Sequence, residues 1–183
     1  VESIDYDLDV SHGIRAAEIE SAWLDRSEAA PGSEVTVFVR IREYRGEETV
    51  RRLKLRIPED AEPGSQAQIL VANAMADRMV QRGMDPGYFT PLTFEQLMER
   101  LGEMEANNSI VLRAAFLQQG VRYGGNAMPA LPESALALLQ GDGSAMPAQR
   151  LMQDVRQVED TPWVLSGSQT LTLTIDESPP YSP

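Results

Sequence analysis

The sequence predicts a mainly β protein: an Ig-like Greek-key sandwich with a helical insertion at about residues 74–108 and a short helix near 132–139. Three observations carry that expectation. Several short apolar runs alternate with a period of two, as strands with one buried face do. Turns rich in Pro and Gly divide these runs at short intervals, the pattern of a sandwich. The middle of the chain then changes to helical spacing.

The clearest alternation is Glu34–Pro58, two runs joined by a polar turn containing Gly46. Val35, Val37, Val39 and Ile41 share one face of the first run, and Leu53, Leu55 and Ile57 share one face of the second. The opposite face carries Arg40, Arg42, Arg52, Lys54 and Arg56. A hairpin with one oily face and one basic face follows from side chains alternating across a strand.

Upstream, Ile4, Tyr6, Leu8 and Val10 alternate with Asp5, Asp7 and Asp9. The D-x-D-x-D spacing matches the start of a calcium loop, but Val10 stands where such a loop turns toward its glycine. The reading taken is a strand with an acidic outer face, lying beside the basic hairpin. Facing opposite charges stabilise a sheet by roughly 0.2–1 kcal/mol per pair. Ile14–Leu24 is the next strand, with Ala17, Ile19 and Trp23 inward. Pro31-Gly32 marks the turn into the hairpin, and Pro58–Ser65 leads out of it to a buried strand at Gln68–Val71.

Ala74–Arg82 reads as a short helix closed by Gly83, with a turn at Asp85-Pro86-Gly87. Thr93 and Gln96 have capping-box spacing and open a second helix. In it Phe94, Leu97, Met98, Leu101 and Met104 form one apolar stripe, expected to pack into the core rather than to serve as an adaptable binding groove. Ser109–Leu117 and Leu151–Glu159 are strands, and Pro132–Leu139 is the short helix, followed by a loop at Gln140–Pro147. Leu171, Leu173 and Ile175 alternate with Thr170, Thr172 and Thr174 in a final strand. The expected sandwich domain spans residues 1–176, with 177–183 as a tail.

Composition narrows the chemistry. The chain has 183 residues and is 42% hydrophobic, enough for a real core. No apolar run approaches the roughly 18 residues that span a bilayer. A net charge of −12 argues against general nucleic-acid binding, which needs a basic surface. From Arg40 to Arg56, however, seven basic and three acidic residues leave the hairpin at +4. The absence of Cys excludes disulfides, thiolate nucleophiles and Cys-ligated metals. His12 is the single histidine, which argues against a serine triad and against a His-rich zinc site. Ser166 and Ser168 lack a nucleophile elbow, and Gly120 and Gly124-Gly125 lack a P-loop lysine. No nucleotide or metal cofactor is implied. Paired carboxylates for glycoside hydrolysis stay open among 28 acidic residues, with Trp23, Trp163, Tyr88 and Tyr123 as a stacking surface. The chain starts at Val1 without Met or an apolar signal and ends in SPPYSP, so it is read as part of a longer polypeptide.

Three stretches bear a resemblance: IESAWLDRSEAAPGSEVTVFV, LKLRIPEDAEPGSQAQILVANA and VLSGSQTLTLTI. Together they resemble the region downstream of the catalytic domain in bacterial proteins with a sporulation-type (SpoIVB-like) serine peptidase domain. The resemblance implies an extracytoplasmic, Ig-like accessory domain. It carries over no catalytic residue, because the SGS here lies just before the last strand and lacks the peptidase setting.

The expected function is therefore non-catalytic: an accessory or interaction domain of a larger exported bacterial protein, placing or regulating a peptidase domain. Its partner would be a protein or peptide, bound by strand addition or on Arg40, Arg42, Arg52, Lys54 and Arg56. The alternative is a carbohydrate- or cell-wall-binding or -hydrolysing domain on the same sandwich.

Overall fold

A computed structural model describes residues 13–84, 93–102, 105–123, 126–128 and 149–178. The expected strand at Ile4–Val10, the turn at Asp85-Pro86-Gly87, the helix at Pro132–Leu139 and the loop after it lie outside the described residues. The elements run β1 (Ala16–Leu24), β2 (Glu28–Ala29), β3 (Glu34–Glu43), β4 (Glu48–Arg56) and β5 (Gln66–Asn73). Then come α1 (Ala74–Met84), α2 (Phe94–Gly102), β6 (Ser109–Tyr123), β7 (Asn126–Met128), β8 (Gln149–Asp160), β9 (Val164–Ser166) and β10 (Ser168–Ile175).

The strands form two sheets. The first has the order β4-β3-β1-β9. The second has the order β2-β10-β5-β6-β7, with β8 also paired to β6. Their facing sides make one core. Val35, Val37, Val39, Ile41, Leu53, Leu55 and Ile57 of the hairpin meet Ile69, Val71, Ile110, Leu112, Phe116, Leu173 and Ile175. The hairpin residues, Leu173 and Ile175 came from period-2 runs, the others from apolar runs read as strands, and burying a side chain of this size contributes about 1.5–3 kcal/mol.

The hairpin turn shows why Gly46 stands where it does. Arg45 adopts a positive φ of 57°, and Gly46 N–H donates to the Glu43 carbonyl at 3.1 Å. A Cβ on Gly46 would sit 2.7 Å from the Cβ of Glu43, so the turn closes only around glycine. The Ser166-Gly167-Ser168 motif has an equally structural role. Ser166 ends β9 in the first sheet and Ser168 begins β10 in the second. Gly167, at φ 87°, is the single residue on which the chain changes sheets.

Helix α1 runs on through Gly83, which was expected to close it, to Met84, and two expectations about burial fail. Trp23 does not point inward. The pairing of β1 with β3 shifts between Ile19 and Ser21, leaving Glu20 as an extra residue. One inserted residue reverses the alternation beyond it. Ala17 and Ile19 therefore face the core before the bulge, Ala22 and Leu24 lean on it afterwards, and Trp23 turns outward.

The apolar stripe of α2 does not enter the core either. Thr93 Oγ1 accepts the Gln96 N–H at 3.2 Å, so the expected cap is present, but Phe94, Leu97, Met98 and Leu101 are all exposed. Helix α1 behaves in the same way, with Met75, Met79 and Met84 exposed while Ala74 and Asp77 are buried. The surface offered to α1 is mixed, since the outer side of β6 presents Arg113 beside Val111, both buried.

Asp77 covers Arg113. Its carboxylate is 1% exposed and accepts from Arg113 Nε at 2.6 Å and from Arg156 Nε on β8 at 3.0 Å. Arg113 Nη1 also pairs with Asp154, and Arg156 Nη1 with Glu105 at 3.0 Å. Burial alone would lower the Arg156 pKa, but its hydrogen bonds to Glu105 and Asp77 hold it above the ordinary value. The start of α1 is fixed by Asn73, whose Oδ1 accepts the Ala76 N–H at 2.8 Å while its Nδ2 donates to the Leu165 carbonyl at 2.9 Å.

Candidate functional site: the basic outer face of the first sheet

All five basic residues singled out in the sequence lie on β3 and β4, on the side of the first sheet away from the core. The register brings Arg40, Arg42 and Lys54 to carboxylates that are remote in the chain or across the turn. Arg42 Nη2 donates to both Glu20 and Glu48 at 2.6 Å, and Arg40 lies 3.8 Å from Glu48. Lys54 reaches Glu34 at 2.8 Å, its partner strand offering that residue two positions along on the same face. Arg56 meets Glu59 at 3.5 Å. The hydrogen bond to Glu20 is the main cause that raises the Arg42 pKa, and the bond to Glu34 does the same for Lys54.

Arg52 differs. It has no ion pair with a carboxylate among the described residues. Its guanidinium lies over the Phe38 ring instead, with Cζ 5.9 Å from the centroid. Trp23, Phe38 and Arg52 are direct cross-strand partners on β1, β3 and β4. The Trp23 and Phe38 rings stack with centroids 5.5 Å apart and planes 8° from parallel, and Arg40 lies over Trp23 at 5.4 Å. Cation–π contacts at exposed sites contribute about 0.5–1 kcal/mol. The result is a row of two aromatic rings flanked by two guanidinium groups, held upright on a rigid sheet.

The sequence reading missed Trp23 and Phe38 in this row. Phe38 left a signal, since it is an aromatic residue out of phase between Thr36 and Arg40 on the polar side of β3. Trp23 left none, because its direction depends on the bulge. Glu20 and Glu34, which neutralise part of the face, were also missed.

Two clefts border this sheet. One, of about 260 Å³, opens between β4 and β8, with Leu53, Ile110 and Leu112 at its base and Arg52, Lys54 and Glu159 around its rim. The other, of about 520 Å³, runs past Trp23, Asp25, Arg26, Leu171 and Thr172. No set of three His, Cys, Asp or Glu side chains able to hold a metal ion occurs among the described residues. Within the described residues no helix is long and apolar enough to cross a membrane. No family model, curated protein or solved structure matches the chain.

Proposed function

We propose that this chain is a non-catalytic interaction domain that takes an acidic protein segment on the outer face of β3 and β4. The observation that carries the reading is Arg52: an exposed cation on a rigid strand, without a carboxylate of its own among the described residues, beside an aromatic row. The arginine fork suits carboxylates, and Arg and aromatic residues dominate binding energy at protein interfaces. Arg40, Arg42, Lys54 and Arg56 extend the face but are engaged by Glu20, Glu34, Glu48 and Glu59, so they tune it rather than drive it.

We read the sandwich as Greek-key and Ig-like. What supports that reading is the succession β10, β5, β6, β8 in the second sheet, where the last strand of the chain returns beside β5. A role outside the cytoplasm, beside a peptidase domain of a larger exported bacterial chain, rests on the sequence resemblance alone. The test of the binding reading is retention of the protein on immobilised poly-glutamate at low salt. The double variant Arg40→Glu/Arg52→Glu should lose retention while its thermal melt stays in place. Equal retention of the two proteins would overturn the reading.

The second reading, a carbohydrate-binding module, is favoured by one observation: Trp23 and Asp25 line the same open cleft. Under it, Trp23→Ala would abolish retardation in gels containing soluble cell-wall polysaccharide, and Arg52→Glu would not.

A further inference from the structure

We infer that the free edge of β4 accepts an extended peptide strand in which apolar and acidic residues alternate. This rests on the acidic-partner reading above and adds the form of the partner. Among the described residues, β4 pairs with β3 alone and β8 pairs with β6 alone. The two strands therefore present free edges on the same side of the sandwich, one from each sheet, with the 260 Å³ cleft between them. That volume lies below the usual range for a small-molecule pocket of about 300–1,000 Å³. It suits side chains entering from a strand laid along the opening.

The chemistry around the cleft selects the strand. An added strand hydrogen-bonds through its backbone and directs alternate side chains to opposite faces. One set would enter over Leu53, Ile110 and Leu112 and must be apolar. The other set would lie on the outer face beside Arg52 and Lys54 and should be acidic. A second observation comes from Arg51, whose side chain turns the other way from Arg52. Its guanidinium lies over the Trp163 ring, with Cζ 5.9 Å from the centroid; its Nε is buried without a hydrogen-bond partner among the described residues, and Glu159 on β8 stands at 3.9 Å. A buried donor left unpaired costs about 1–3 kcal/mol, and Arg51 with Glu159 marks the same gap between β4 and β8 as the cleft.

The experiment uses the full chain and a synthetic peptide, ESIDYDLDV, which is the sequence of residues 2–10 and has the required alternation. Binding is read by calorimetry. Two further copies carry backbone N-methyl groups, one on the Ile, Tyr and Leu residues and one on the three Asp residues. Neighbouring N–H groups in a strand point to opposite edges, so only one of these copies has its β4-facing donors blocked. The parent peptide should bind saturably, one methylated copy should weaken by about tenfold or more, and the other should bind like the parent. A copy with Lys in place of Asp should not bind. Equal binding by both methylated copies, with loss on Arg52→Glu, would overturn strand addition and leave the acidic-face reading standing. No binding by the parent to the full chain or to a chain lacking residues 1–12 would overturn the inference. Binding that emerges only when residues 1–12 are removed would make that segment the occupant and overturn a separate partner strand.

Discussion

The outer faces of the two sheets use the same residue types to opposite ends. On the first sheet Arg42 lies between Glu20 and Glu48, with its side chain 53% exposed. On the second, Arg113 lies between Asp77 and Asp154 with its side chain 8% exposed. Water competes for the first set and screens it, and exposed pairs of this kind contribute little to stability. At the centre of the second set, where Asp77 meets Arg113, water is nearly excluded, so removing Asp77 takes the carboxylate from a guanidinium that water cannot readily solvate. Burial, rather than residue type or distance, makes one network a clasp and the other an adjustable surface.

The largest effect should come from breaking the clasp. Asp77→Ala leaves Arg113 and Arg156 facing each other without their shared carboxylate, and urea unfolding should show a loss of about 3–5 kcal/mol. Replacing Asp77, Arg113 and Arg156 together by apolar residues of similar size should recover most of that loss. If the single and triple variants are equally unstable, the clasp contributes through packing rather than charge. Gly167→Ala, at the crossing between the sheets, comes next. Its φ of 87° disfavours any Cβ, and that Cβ would lie 3.0 Å from the Ile19 carbonyl oxygen. A cost of about 1–3 kcal/mol is expected in the same assay.

On the first sheet the effects should be smaller. Trp23→Ala removes the stacked pair and should cost about 0.5–1.5 kcal/mol beyond the area it uncovers. Arg42→Ala should leave the urea midpoint within measurement error, and about 1 M NaCl should erase any residual difference. The smallest effect is a pH dependence at Lys54. Its pKa is raised by the hydrogen bond to Glu34, so the stabilisation is complete below the ordinary value of 10.5 and is lost as pH rises through the raised folded value. Thermal melts of the native protein and Glu34→Gln should converge above that range. A gap that widens with pH would reverse the sign and remove the pair as the cause.

Much of this was legible in the sequence, and the exceptions share a cause. The hairpin could be read because a strand's side-chain period is two and every odd position from Val35 to Ile41 is apolar. The five basic residues could be placed on one face by the same rule. The pairing of Lys54 with Glu34 was within reach, since the turn sets the register of a two-stranded hairpin. The direction of Trp23 was not, because the bulge at Glu20 forms only where β1 meets β3. The helices show the same division. Their spacing and the Thr93 cap were plain, but the fate of their apolar stripes depended on a surface that other strands build.

Local patterns of side-chain size and charge were therefore sufficient to place the strands, the turn at Gly46 and the basic face. Backbone geometry repeats every two or three to four residues, and a sequence shows that repeat directly. Among the described residues, which arginine lacks a carboxylate partner, which is sealed under a helix and which strand edges stay unpaired were decided only in three dimensions. Those outcomes depend on desolvation and on partners far apart in the chain, as Arg42 with Glu20 and Arg113 with Asp77 both show.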